Sequence, residues 1–512
     1  MKKTSLILAA LFVLATGNAS AQAFSFNETN NLMYFAQRSP QSNQLNPAFF
    51  PSALYIALPG LNALQLGLPL SIGDIAYYDP AQEANIIDVN NVLNTLTDNN
   101  KFRMGLDLNI AGVGMRIAGV FVDANVQLKT NFNLGLPMDA VNFVLKGNVQ
   151  PDGSAYPVMP ILDGDFFNMQ MYIETSVGAG FHVPLTGLTV GAHVKLLSGL
   201  INLQTENTQV TFNTSEDFND VEANMYYEIT GASVVPINTE NGFDIGAIVS
   251  DIKNNMSDVL KSLYDINGGN TGYAFDLGAK YDIGPFTLSA SIIDLSPGIH
   301  WQQNIVSMVP SNPNGSIHFS GMDISELLNE GNINTDSLTT YLNDQIKGMI
   351  PEFKINEGEY WYTIPTKMNL GATVNLGLIK AGVLFHGQWD RGLLPRKPIN
   401  SINDIQLDLG EDGVRGLVNT FRFNTTVSAG VNLFNWIEVI AGSSFVYDGH
   451  SKIGLENFLN PGVGVFVTPA TLFQVYVMAD YASSIYFSQM KAFNFKLGFN
   501  LLVGGNSRSR IL

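Results

Sequence analysis

The chain has 512 residues and a net charge of −18, from 26 Lys and Arg against 44 Asp and Glu. Charged residues make up 14% and hydrophobic residues 46%; a soluble globular chain carries roughly 25% charge, and a disordered one is poorer in apolar residues. The acidic balance excludes a phosphate-binding surface, so nucleic acid is not an expected partner, and the absence of cysteine excludes disulfides, thiolate metal sites and a thiol nucleophile.

Lys2-Lys3, the apolar run Leu6–Ala15 and Ala19-Ser20-Ala21 have the order of a secretory signal peptide. Residues 1–21 are expected to be removed on export. From Ser39 to Gly73 the chain carries no charge, yet Pro40, Pro47, Pro51, Pro59 and Pro69 rule out a membrane helix there. Residues 22–60 read as an N-terminal hatch or first-strand segment. Asn46, Pro47, Phe49 and Phe50 are candidates for a hatch inserted in a lumen. A first strand with its turn is the other reading.

Period two dominates the rest of the chain. Val120, Val122, Ala124, Val126 and Leu128 alternate with Asp123, Asn125, Gln127 and Lys129. One face then meets oil and the other water. The pattern returns at Met171–Val183, Leu188–Leu196, Tyr273–Tyr281, Phe286–Ile292, Met368–Leu376, Ile379–Phe385, Phe421–Leu433, Ile437–Tyr447, Val463–Val467, Phe473–Tyr481 and Phe493–Leu501. Short turns such as Asp282-Ile283-Gly284-Pro285 join many of these segments. Near Ala111-Gly112 the apolar phase passes from even to odd positions, which one inserted residue, a β-bulge, explains. A soluble sandwich also alternates, but its outer face would be rich in Lys, Glu and Asp. Here the polar face is mostly Gly, Ser, Thr and Asn. In lipid only helices and closed barrels satisfy every backbone group.

The expected fold is therefore all-β: a transmembrane antiparallel β-barrel of about 14 strands (12 to 16) over residues 61–503. It carries an N-terminal plug-like segment, helical loop insertions and a C-terminal extension at 504–512. Helical spacing appears at Ile245–Leu263, at Leu338–Met349 and more weakly at Ile86–Leu96. These stripes are expected to pack against the barrel mouth. Tyr360, Trp361, Tyr362, Phe434, Trp436, Tyr447, Tyr486 and Phe487 fit aromatic girdles near strand ends.

Extending the alternation assigns side chains to the lumen. Arg103, Lys129, Lys195, Lys280, Lys380, Arg422 and Lys496 are the basic candidates, and Asp107, Asp123, Glu174, Asp276 and Glu438 the acidic ones, with His182 and His193 beside them. A ring of one sign would argue ion selectivity. Mixed signs argue cross-lumen salt bridges or a polar channel without strong selectivity. No HExxH, GxSxG, GxGxxG or P-loop pattern occurs, so neither an enzyme nor a cofactor is expected. His182 and His193 lack the third ligand of a metal site. Asp265–Asn270 lacks the spaced carboxylates of a calcium loop and reads as a turn.

Pro40–Phe49 (PQSNQLNPAF), Tyr273–Ala279 with Leu288–Leu295, Ile364–Ala372 and Phe493–Leu501, taken in order, resemble an outer-membrane barrel family of unknown function from the Bacteroidota. The Asn-Pro-Ala element is also similar to that of long-chain fatty-acid transporter barrels and of barrels associated with type IX secretion. The transporter resemblance implies a 14-stranded barrel with an N-terminal hatch and a lateral route for apolar substrates. No ligand motif matches, so it carries over no binding residue. The expected function is passive transport of small molecules, hydrophobic ones included, across the cell outer membrane. Its partners would be outer-membrane lipids and a small apolar substrate. A closed barrel serving as a scaffold or accessory in protein export or surface attachment is the alternative.

Overall fold

The computed structural model describes residues 31–503, less short runs, mostly in loops, of which 334–350 and 447–458 are the longest. The expected signal peptide, the extension at 504–512 and the helix at Leu338–Met349 lie outside the described residues, as do Tyr447, Tyr486 and Phe487.

Fourteen antiparallel strands close into a barrel. They are β1 (Leu54–Ala57, continued by Gly60–Gly67), β2 (Asn99–Ile117), β3 (Val120–Pro137), β4 (Phe167–His182), β5 (Leu188–Thr214), β6 (Thr271–Ile283) and β7 (Phe286–Trp301). There follow β8 (Tyr360–Tyr362, continued by Thr366–Asn375), β9 (Ile379–Trp389), β10 (Phe421–Leu433), β11 (Ile437–Val446), β12 (Leu459–Val467), β13 (Phe473–Ala482) and β14 (Ala492–Val503). Each pairs with the next, and Leu54↔Val503 and Ile56↔Leu501 join β14 to β1. No edge is left in the ring, so every wall strand has two ladders.

The alternation explains which face looks where. Val113, Val177, Val194, Leu277, Leu288, Leu370, Val383, Val427, Val463, Val477 and Phe499 are all exposed. They belong to eleven different wall strands, so together they form an apolar belt that water would penalise and lipid would accept. Their polar neighbours Asn125, Gln127, Glu174, Lys195, Asn369 and Asn494 point inward and are buried. The phase change in β2 is a bulge: Asn109 pairs with Gln127 and Ala111 with Val126, which leaves Ile110 as the extra residue. Ile110 and Ala111 both face outward, so the polar face stays inward on either side.

The barrel has two unlike ends. Ala118-Gly119, Val183–Gly187, Gly284-Pro285 and Leu376–Leu378 are tight turns at one end, where Leu54 and Val503 also lie and where Leu433 pairs with Ile437. Phe434 and Trp436 are exposed there, with ring centroids 6.3 Å apart. Tyr360 and Tyr362 instead pack partly buried against the cluster around Trp301 and Ile299. The other end carries long loops. There the 27-residue β5 far outruns the ~9–11 residues that cross a bilayer. Its upper half pairs with Asp220–Ser233 and Met159–Asp163. Two helices, α1 (Ile245–Asn254) and α2 (Met256–Leu263), bury Ile248, Val259 and Leu263 against Met169, Leu200, Ile201 and Leu203 of β4 and β5. That is the packing their apolar stripe implies. The weaker Ile86–Leu96 stretch divides into an outer strand, Ala84–Ile87, and a helix, Val89–Thr95.

Candidate functional site

The lumen at the tight-turn end is filled by the chain's own N-terminal segment. Two 3-10 turns, Asn31–Phe35 and Pro40–Gln44, are buried inside the ring. Leu32, Met33, Tyr34, Phe35 and Phe49 pack on Leu384, Ile440, Phe466, Tyr476 and Met478 of β9 and β11–β13. Strands β6–β8, β10 and β14 offer polar anchors. Asn46 Nδ2 donates to the carbonyls of Ala279 and Ala290 at 3.3 and 3.2 Å. Ser291 Oγ and Asn369 Nδ2 donate to Leu45 O at 2.7 and 3.0 Å, and Tyr34 Oη donates to Ser289 Oγ at 2.9 Å. Gln41 Nε2 donates to Asn500 Oδ1 at 2.8 Å and Asn31 Nδ2 to Asn424 Oδ1 at 2.7 Å. The absence of charge from Ser39 onward fits this position, since an unpaired ion buried in a lumen is costly.

The wall is cut to receive this segment. A Cβ at Gly371 would come 2.5 Å from Tyr34, at Gly382 2.5 Å from Phe35, and at Gly180 2.5 Å from Phe50. At Gly442 it would come 2.7 Å from Leu32 and at Gly278 2.7 Å from Pro47. Glycine at these inward positions lets the wall approach the segment closely. Asn46 and Phe49 are fully buried in this plug, and Pro47 lies against Gly191 and Gly278. Phe50 stacks on Phe121 at 4.8 Å, with the Arg116 guanidinium 5.1 Å from its ring.

On the long-loop side of the plug is a cavity of about 120 Å³. Its floor includes Met33, Gln41 and Leu45, and around it runs a belt of charges. Lys129 pairs with Glu174 at 2.7 Å. Lys195 meets Glu174 at 3.5 Å, Asp276 at 2.9 Å and Asp294 at 2.6 Å. Lys367 reaches Asp294 at 3.3 Å. His193 lies between Asp276 (Nδ1, 3.2 Å) and Asp123 (Nε2, 3.4 Å). These groups sit on consecutive strands from β3 to β8, so the network is a cross-strand ladder around half the ring. Asp107 on β2 and Lys496 on β14 continue the belt.

Of the candidate lumen residues, Asp107, Lys129, Glu174, His193, Lys195, Asp276 and Lys496 therefore meet at one cavity. Asp123 supports it from behind His193. The others are elsewhere. His182 is exposed at a tight turn, where Nδ1 lies 3.0 Å from Thr189 Oγ1, and does not approach His193. Lys280 pairs with Asp282 at the same end, at 3.4 Å. Lys380 and Glu438 form an ion pair beneath the plug, with Lys380 Nζ donating to Phe35 O at 3.3 Å. Arg103 is buried higher in β2. Arg422 lies opposite Gln388 in the ladder, and its side chain is outside the described residues. Two members of the belt are not marked by the alternation. Lys367 shares the parity of Asn369 and Gly371 but precedes the apolar run that marks its strand. Asp294 follows the doublet Ile292-Ile293 and sits at φ 57°, a local irregularity that turns the side chain to the wrong parity. Among the described residues no group of three His, Cys, Asp or Glu is placed to hold a metal ion.

Several solved barrels are similar in outline. The toluene transporter TbuX of Ralstonia pickettii matches at 9% identity and a TM-score of 0.42, covering 91% of this chain and 94% of its own. The P. putida toluene transporter TodX matches at 8% and 0.40, covering 91% and 92%. A FadL homologue of Pseudomonas aeruginosa matches at 9% and 0.36, covering 91% and 94%. Likeness at this level transfers no residue and no substrate. No curated protein matches the chain in sequence. The profile of a family of unknown function (DUF5723) matches residues 47–480, from the plug to β13, and the chain belongs to that family.

Proposed function

We propose that this protein is an outer-membrane channel of the Bacteroidota, in which small solutes pass down their gradient through a lumen gated by the N-terminal segment. The apolar belt and the unlike ends support the membrane setting. Tight turns are periplasmic and long loops extracellular in barrels of this kind. Residues 22–60 would then form the hatch and first strand, and residues 1–21 would have directed export. The observation that carries the reading is the cavity: a polar chamber at mid-lumen, closed toward the tight turns by the plug. In this state the channel is shut. Opening requires the stretch from Asn31 to Phe49 to leave its glycine-lined seat, after which a solute in the chamber is released to the periplasm. No chemical step and no energy source is involved.

The lining bears on cargo. Polar residues are the more numerous in the chamber lining, with Met33, Leu45, Ala63, Ile293 and Tyr476 as the exceptions. Such a wall favours polar solutes over hydrophobic ones, because an apolar molecule satisfies none of these groups. Reconstitution into liposomes with a panel of small solutes tests the reading. Uptake should depend on folded protein, run down the concentration gradient and decline with solute size. Uptake equal to that of empty liposomes would sink it. A second reading, a permanently closed scaffold, is favoured by how tightly the wall fits the plug. It predicts the same silence together with a stable protein partner.

A further inference from the structure

Not all the charges of the chamber touch one another. Lys129, Glu174, Lys195, Asp276, Asp294 and Lys367 are joined by ion pairs of 2.6–3.5 Å. Asp107 and Lys496 also line the cavity, yet among the described residues neither makes a hydrogen bond or an ion pair. Asp107 lies opposite Ala63 on one side of β1. Lys496 lies on the other side, between the partners of Leu61 and Leu64. They are thus two ladder spacings apart, roughly 10 Å between backbones. Their side chains do not touch, and both face the same small volume. The cavity, about 120 Å³, has room for roughly four waters, or for one small organic ion. A carboxylate and an ammonium that face one small space from either side of β1, without contact to a partner, fit a ligand carrying both charges in reverse.

We propose that the mid-lumen chamber is a binding site for a small zwitterion of the α-amino-acid class, its ammonium at Asp107 and its carboxylate at Lys496. The neutralised ladder from β3 to β8 forms the back wall. Gln127 lines the same space and offers its side-chain amide to the ligand's remaining polar atoms. Apart from His193, the lining counts four carboxylates (Asp107, Glu174, Asp276, Asp294) and four ammonium groups (Lys129, Lys195, Lys367, Lys496), so these carry no net charge against a neutral dipolar solute. A lone anion or cation would meet one partner and leave the other charge uncompensated. This assignment deepens the channel reading by naming the solute class that occupies its chamber.

The test is calorimetric titration of the detergent-purified, folded protein with alanine, with acetate and methylammonium as single-charge controls. Alanine should bind saturably and at least tenfold more tightly than either control. Asp107→Asn and Lys496→Met should each weaken alanine binding at least tenfold. The exchange D107K with K496D, which keeps both charges and reverses their places, should recover binding that the single changes lose. Folding of every variant is checked by the electrophoretic mobility shift between unheated and boiled samples. Absence of saturable alanine binding in folded protein would overturn the proposal, as would equal binding of acetate, or single variants that bind like the parent. Liposome uptake, measured separately, tells the two readings apart. Binding without uptake removes the channel and leaves the site, and uptake without binding does the reverse.

Discussion

Lys195 shows how a residue's place in the barrel decides its energetics. Its ammonium faces three carboxylates and is buried with them. Replacing it with Met leaves Glu174, Asp276 and Asp294 short of a counter-charge. Removing one member of a buried ion network costs about 3–5 kcal/mol, so Lys195→Met should lower the denaturant midpoint of the folded barrel markedly. A midpoint within error of the parent would contradict the network. Asn46→Ala removes a donor shared by two wall carbonyls and is expected to cost about 1–3 kcal/mol. Outside the membrane, Asp404 accepts from the backbone N–H groups of Asn400 and Ser401, both at 2.8 Å, which holds its carboxyl below the usual range. A depressed folded-state pKa means that the turn is supported above the unfolded value, about 3.9. The support is lost as pH falls through the lowered value. Amide exchange at Asn400 and Ser401 should speed up, relative to intrinsic rates, only in that acid range. Of the ionisable groups that line the cavity, seven are legible because each keeps strict parity within an alternating run. Asp294 is not, because a single left-handed residue breaks the parity on which the reading depends.

At the scale of elements, the plug and its seat are complementary in sequence as well as in space. The uncharged, proline-broken stretch from Ser39 marked a segment unable to be a helix, but its burial inside the ring depends on contacts hundreds of residues away. Neither Gly371 nor Gly382 announces by itself that Tyr34 and Phe35 will lie against it. Enlarging the seat residue tests the fit. Gly371→Leu would press on Tyr34, and overpacking of this kind costs about 1–3 kcal/mol. Because the chain has no cysteine, Ser42→Cys supplies a single thiol at a fully buried plug position. Maleimide labelling of that thiol should be slow in the parent and faster when combined with Gly371→Leu. Equal rates would show that the seat does not hold the plug. The bulge in β2 was readable for the opposite reason. A phase change is local, and Ile110 satisfies it within its own strand.

For the molecule as a whole, the belt and the lumen make opposite demands on the same strands. Val177 is 61% exposed on the outer face, whereas Glu174, three residues earlier, is buried on the inner one. Val177→Arg should cost up to about 2–4 kcal/mol if the position lies near the bilayer midplane. That loss would be read from unfolding in lipid vesicles, and no loss would argue that this surface does not face lipid. The strand count and closure followed from repeated alternation, hairpin turns and low charge together. The size and lining of the chamber did not, because they depend on how far the plug rises into the ring. The central claim is that a membrane barrel is held shut by its own N-terminal segment. Its most direct test is single-channel current in a planar bilayer, comparing the mature protein with a variant lacking residues 31–49. The account predicts a closed parent with rare, brief openings, and steady, ohmic steps once the segment is gone. A folded, inserted variant as silent as the parent would contradict it.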